Sequence, residues 1–232
     1  MIQSRFLAIS VLVTAIAFAI SPWLSQGFAG FSPDQFPVQQ DFLPIQPAGW
    51  AFSIWGVIFI WIIIGSFWGA IHAPFSTEWN TMRWPLLGSL GIGMFWIAMA
   101  NASPIFATLM IFAMALLAIR AMLLSGHSNP AWQVMPVALY AGWLTAATGV
   151  GIGVVLGGYG VLSSQNAALI MLCCVLIVAL FVQSRRRREW AYPLAVVWAL
   201  CGIVASNMLS QNWPVIIISS LGILTLTFRT IK

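Results

Sequence analysis

Hydrophobic residues along this chain fall in long unbroken runs, and the stretches between them collect the Pro, Asn and charged positions. Eight runs can be traced: Phe6–Trp23, Ala51–Ile71, Trp84–Ala100, Ile105–Leu124, Val134–Leu156, Ala167–Val182, Ala191–Met208 and Pro214–Phe228. A helix needs about 20 residues to cross the hydrocarbon, with a range of about 17–25. Each run therefore predicts one span, the sixth and eighth borrowing flanking residues such as Ser163–Asn166. The stretch from Trp84 to Leu124 is too long for one. Asn101-Ala-Ser-Pro104 lies near its middle, where proline removes a backbone donor and disfavours helix in the residue before it. Two helices joined by a tight hairpin are predicted there. The expected fold class is all-α, a polytopic transmembrane bundle of about eight spans.

Composition agrees with the pattern and narrows it. Hydrophobic residues make up 61% of the 232 positions and charged residues 6%, against about 25% charged in a soluble domain. So few charges cannot cover a water-facing surface, and the bilayer is the expected solvent. The net charge of +5 is spread too thinly to form a nucleic-acid stripe. It is arranged for orientation instead. With eight alternating spans, Arg5, Arg83, Arg120, Arg185 to Arg188, Arg229 and Lys232 all fall on one side, and the other side carries only Asp34 and Asp41. The positive-inside rule then places both termini in the cytoplasm, and a bacterial inner membrane is the default location. Arg5 followed by an apolar stretch also resembles a signal peptide, with Ala17-Phe-Ala19 or Ala29-Gly30 as cleavage motifs. Cleavage would leave seven spans and the same sidedness.

The long first connection, 24–49, follows Pro22 and contains Pro33, Pro37, Pro44 and Pro47 together with Phe28, Phe31, Phe36 and Phe42. Prolines prevent regular helix, while the aromatics disfavour full solvation. The segment reads either as a loop resting at the headgroups or as a lid over a cavity between helices. In the fifth run Ala141, Thr145, Gly149, Gly153 and Gly157 recur every four residues, and Gly65 and Gly69 do so in the second. Such stripes let another backbone approach closely, within the bundle or in a dimer. Cys173, Cys174 and Cys201 fall inside spans, where adjacent cysteines face different ways and a disulfide or metal site is not expected. The arginine run 185–188 reads as an anchor at the anionic inner leaflet.

Catalytic chemistry is thin. His72 and His127 lie near helix ends, and no ionisable side chain sits at mid-membrane, which argues against a proton-coupled pump and against a retinal Schiff base. No phosphate loop, metal cluster or nucleophile–base pair is legible, so an enzyme is not expected. Tryptophan is the conspicuous residue, with thirteen. Trp23, Trp79, Trp84, Trp132, Trp190 and Trp213 fall at interfaces, as an aromatic belt requires. Trp55, Trp61, Trp68, Trp96, Trp143 and Trp198 lie deeper, where an indole N–H seeks an acceptor and the ring offers a flat surface to a ligand. Phe52, Trp55 and Phe59 share one helical face by i, i+3, i+7 spacing, as core or as pocket wall.

The segment Pro47-Ala-Gly-Trp50-Ala-Phe52-Ser-Ile-Trp55-Gly-Val-Ile-Phe59 resembles the start of the second helix in the tryptophan-rich sensory protein family, also called the translocator protein or peripheral benzodiazepine receptor family (TspO/MBR). Pro104-Ile-Phe106 and Tyr140-Ala-Gly-Trp143-Leu-Thr-Ala-Ala-Thr148 resemble two further family stretches. The resemblance implies a five-helix bundle over residues 1–157, with residues 158–232 as a three-helix extension. It also implies a cavity under the first loop that takes porphyrins, sterols or synthetic aromatic ligands, and frequent homodimers. Carried over by position, Trp50, Phe52, Trp55 and Trp143 become candidate ligand contacts. Phe59 joins them by its spacing, and Asn101 by standing where the family's polar residue before Pro-Ile-Phe is displaced. The Asn that the family carries late in the fifth helix is Gly149 or Val150 here. Three roles follow: a sensor or carrier of a flat hydrophobic or tetrapyrrole-like molecule, a transporter of an uncharged solute, or an accessory subunit of a larger membrane complex.

Overall fold

The computed structural model describes residues 2–25, 27–28, 30–39 and 42–231. Asp41 and Lys232 of the charge pattern, and Ala29 of the second cleavage motif, lie outside the described residues. The regular structure is helical throughout: α1 (Ile2–Leu24), α2 (Ile54–His72), α3 (Thr77–Ala102), α4 (Pro104–Leu124), α5 (Val134–Gly158), α6 (Ser164–Arg185), α7 (Ala191–Met208) and α8 (Trp213–Ile231), with single 3₁₀ turns at Pro33–Gln35 and Gly49–Ser53. These eight helices are each long and apolar enough to cross a membrane. The hairpin within the longest apolar stretch forms where the breakers predict it. α3 stops at Ala102, Ser103 turns extended, and its Oγ accepts from Phe106 N at 3.5 Å while Pro104 occupies the first helical turn of α4. Serine supplies the missing acceptor and proline needs no donor there. The second span starts differently from the expected continuous helix: Phe52 belongs to the 3₁₀ turn, and α2 proper begins at Ile54.

α5 is the central helix. Of its most apolar 18 residues 72% are buried, against 28% for α2 and α8, as befits a helix that is apolar on every side. α4, α6 and α7 pack around it. Its small-residue stripe serves this packing. A Cβ added at Gly149 would collide with Val175 of α6, and one at Gly153 would reach Ile45 and Met171. Gly65 and Gly69 of α2 likewise admit the carbonyl of Trp132 and the ring of Trp79. Close approach within the bundle is thus the use made of both stripes. The outer surface is apolar, with Phe6, Ile60, Phe95, Ile177 and Leu224 all exposed, a surface suited to lipid. Trp23, Trp84, Trp132, Trp190 and Trp213 are also exposed. Trp79 departs from the belt: it is buried and stacks on Trp68, ring centroids 5.6 Å apart.

Hydrogen bonds between helix ends define an up-and-down bundle. At one end Arg83 binds the last carbonyls of α2, Ser128 N donates to Glu78 Oε1 at 3.2 Å, and Gln183 Nε2 donates to Thr230 Oγ1 at 3.0 Å. At the same end Arg186 donates to the carbonyls of Leu123 and Ser125, so one member of the arginine run caps α4. Burial raises the carboxyl of Glu189 above its ordinary range, opposed by the Ala191 N–H and by Arg186. At the other end Gln35 Nε2 reaches Ala100 O at 2.9 Å and Gln165 Nε2 reaches Asn212 Oδ1 at 3.0 Å. The arginines gather at the first end, and Asp34 lies at the second.

Candidate functional site

The first connection folds over the second end of the bundle, with Phe28, Phe31 and Phe36 turned inward and Phe42 exposed. Phe31, Phe36, Leu43 and Ile45 are buried. α7 holds the later half of this lid. Asn207 Nδ2 donates to Pro44 O at 2.8 Å, Ser206 Oγ to Gln46 O at 2.8 Å and Trp198 Nε1 to Ala51 O at 2.8 Å. The amide of Ala48 donates to Gly202 O at 3.0 Å. Gly202 is needed for this approach, since a Cβ there would stand 2.7 Å from that of Ala51. The earlier half is tied to other elements: Asn101 Nδ2 donates to Gly27 O at 3.3 Å, Gln35 Nε2 to Ala100 O at 2.9 Å and Val38 N to Gly158 O at 3.0 Å, while Phe31 N donates to Gln46 Oε1 at 3.0 Å. Gly27 (φ 67°) and Gly30 (φ 119°) adopt left-handed backbone on either side of Phe28, a conformation that side chains oppose.

Removing the α7 clamp should loosen the lid without unfolding the bundle. Each lost hydrogen bond is worth about 1 kcal/mol, so Asn207→Leu combined with Ser206→Ala should speed amide exchange at residue 48 by about tenfold or more. Unchanged exchange would show that packing alone holds the lid.

Beneath the lid is an aromatic cavity of about 30 Å³, lined by Phe28, Phe52, Trp55, Trp96 and Trp143, with Thr108 of α4 and Ala199 of α7. The rings fill most of the space themselves. Phe28 stands edge-on to Trp96 (centroids 4.9 Å apart), Phe52 to Trp143 (5.8 Å) and Trp55 to Trp143 (6.2 Å). Behind them Trp55 stacks on Phe59 at 5.2 Å, and Phe18 of α1 meets both edge-on. A second void of about 120 Å³ opens toward Phe18, Pro22 and Phe59. Phe28, Phe52, Trp55 and Trp96 wall both voids. Among the described residues, no ionisable side chain lines either one.

Of the residues singled out from the sequence, Phe52, Trp55 and Trp143 converge on the main cavity and Phe59 on the adjoining void. Trp50 points elsewhere, half exposed and edge-on to Trp198 of α7 at 5.0 Å. Asn101 is exposed and ties down the lid. Trp96, Phe28 and Thr108 were not among the candidates. Trp96 carried a signal, its depth in the third span, and its indole donates to Ala107 O at 3.0 Å. The indoles of Trp61 and Trp198 also find backbone carbonyls, each at 2.8 Å, which answers the need for acceptors in apolar surroundings.

The profile of the TSPO-like protein family matches residues 6–231, all eight helices included. The chain belongs to the TSPO-like protein family. No curated protein and no solved structure matches it. In this TSPO-like chain the helices beyond Gly158 are joined to the site: α7 packs on α5, clamps the lid and contributes Ala199 to the cavity wall.

Proposed function

We propose that this TSPO-like membrane protein binds an uncharged, flat, hydrophobic small molecule in the aromatic cavity beneath its lid, as a sensor or carrier. The observation that carries this reading is the convergence of rings from the lid, the 3₁₀ turn, α2, α3 and α5 around one buried space. Aromatic faces and edges suit planar ligands. The closed cavity is far smaller than a tetrapyrrole macrocycle, so a ligand of that size requires the rings shared by the two voids (Phe28, Phe52, Trp55 and Trp96) to rearrange. Charge argues in the same direction. The lid end carries Asp34 and no described cation, so porphyrin propionates would meet repulsion and no charge-assisted partner. The arginine-bearing end faces the cytoplasm in this reading, with a bacterial inner membrane as its setting. The lid then covers the outer mouth.

The test is quenching of tryptophan fluorescence in the purified protein. Neutral polycyclic compounds should quench at lower concentration than free-acid porphyrins. Trp55→Ala should weaken the neutral ligands by about tenfold or more, the loss of one buried aromatic contact surface, with the helical content unchanged. Tighter binding of the free acids, or full binding by Trp55→Ala, would reject the reading.

A further inference from the structure

A furrow on the flank of the bundle lies apart from the lid. α4 and α6 both pack on α5 but not appreciably on each other. Between them opens a space of about 190 Å³, larger than either void beneath the lid. Its walls are Phe112, Leu116 and Ile119 of α4 and Met171, Cys174 and Val178 of α6. Phe112, Leu116, Cys174 and Val178 are exposed, so the furrow is open to whatever surrounds the bundle. α5 forms the floor with Thr145 and Thr148. Both hydroxyls turn back onto their own helix, donating to Ala141 O and Leu144 O at 2.8 Å. The furrow therefore offers an occupant no unpaired polar group and suits a hydrocarbon chain.

Both walls continue into arginines at one end. On α6, Arg185 stands two turns beyond Val178, and its guanidinium carbon lies 4.7 Å from the centroid of the intervening Phe181 ring. On α4, Arg120 stands one turn beyond Leu116. Arg186 draws the two helix ends together by donating to Leu123 O at 3.0 Å and to Ser125 O. This brings the run 185–188 to the mouth of the furrow. The acids at this end are engaged elsewhere: Glu189 accepts from Ala191 N at 3.1 Å and Glu78 from Ser128 N at 3.2 Å. Among the described residues, no carboxylate pairs with Arg120, Arg185, Arg187 or Arg188. Orientation in the membrane counts charges by connection and is indifferent to helix face. It does not account for cations converging on an apolar furrow, which matches an anion tethered to a hydrocarbon chain. The dimensions agree. Met171 to Arg185 covers about 21 Å of helix at about 1.5 Å per residue, and one leaflet supplies about 15 Å of hydrocarbon.

We propose that the α4–α6 furrow is a specific site for an anionic phospholipid, one acyl chain lying on α5 and the phosphate held by Arg120 and Arg185. The site is separate from the aromatic cavity and does not depend on what binds there. The chain supplies affinity by covering the floor, and the arginines select the headgroup through charge-assisted hydrogen bonds.

The full-length protein in detergent is titrated with dioleoyl phosphatidylglycerol or dioleoyl phosphatidylcholine, and bound lipid is read by native mass spectrometry. The anionic lipid should saturate at one per chain and bind about tenfold tighter than the zwitterionic one. Arg120→Gln combined with Arg185→Gln should remove that preference while Arg186 still ties the helix ends. Cys174→Phe, which places a ring in the furrow, should weaken the anionic lipid about tenfold with every arginine in place. Cys173→Phe is the control, because Cys173 is also exposed but does not line the furrow. Its binding should stay within about twofold of the parent. Equal affinity for the two lipids would overturn the proposal. Loss on arginine substitution without loss in Cys174→Phe would overturn it too, revealing general attraction to the arginine run. So would equal loss in both cysteine variants. Disulfide cross-linking through Cys174 between two copies, in membranes carrying the Cys173→Ser, Cys201→Ser protein, would show a second copy covering the furrow and would also overturn it.

Discussion

Replacing Arg83 by methionine should cost the folded protein about 3 kcal/mol, since each hydrogen bond made by a charged group is worth about 1.5–3 kcal/mol and Arg83 makes several to buried and part-buried neutral acceptors. Arg83 is 3% exposed, and its guanidinium is spent on the end of α2. One terminal nitrogen donates to Gly69 O at 2.8 Å. The other reaches Asn80 Oδ1 at 2.7 Å, Ala73 O at 3.2 Å and Pro74 O at 3.4 Å. The last carbonyls of a helix have no partner within it and carry the negative end of its dipole. A planar fork with several donors suits three carbonyls and an amide oxygen better than a point charge does. The Trp79 ring adds a cation–π contact at 5.4 Å from the guanidinium carbon. Methionine would fill the volume and satisfy none of these acceptors. Lysine should recover only part of the loss, since one ammonium cannot reach all four. Thermal unfolding in detergent would measure the series. A methionine variant as stable as the parent would show that water replaces the guanidinium at little cost.

The same residue marks where the sequence stopped being informative. As one of nine basic residues, Arg83 is legible as an orientation signal, because sidedness depends only on which connection a charge falls in. Its role as a cap on the preceding helix depends on how α2 and α3 meet. That is set by Gly69 admitting the Trp79 ring, a tertiary match that no periodicity encodes. The spans and the hairpin at Asn101-Ala-Ser-Pro104 were readable for the opposite reason: apolar length and backbone breakers act locally. Within the site, Trp55 and Phe59 were readable because helical spacing fixes their common face. Trp50 was not, because a 3₁₀ turn precedes α2 and rotates Trp50 away from Phe52, toward Trp198. Phe28 sits on an irregular loop, where direction follows from Gly27 and Gly30 and from the rings it meets. Thr108 carried no signal at all, since a threonine in a membrane helix ordinarily satisfies itself.

The second large effect should come from one methyl group. Gly142→Ala is expected to destabilise the bundle by about 2–3 kcal/mol, the upper part of the usual range for overpacking. A Cβ at Gly142 would run into the carbonyl oxygen of Tyr192 on α7 and stand 3.0 Å from the Cβ of Ala195. Backbone is the obstacle, so a side-chain rotation cannot relieve it. α5 and α7 would have to part. Thr145 Oγ1 and the Tyr192 hydroxyl, now 3.0 Å apart, would separate with them. The strain would not stay local, because Trp143 is the next residue and α7 holds the lid through Gly202, Ser206 and Asn207. Ligand affinity should therefore fall together with stability, although Gly142 does not line the cavity. Gly91→Ala supplies the contrast: nothing stands within 4 Å of the added methyl. There the substitution should gain about 0.5–1 kcal/mol from helix propensity. Tm and affinity for a neutral polycyclic ligand measured on both variants would separate the two cases. Equal behaviour of Gly142→Ala and Gly91→Ala would show that the α5–α7 crossing yields to a methyl group, and the coupling of extension to cavity would then lack its physical basis.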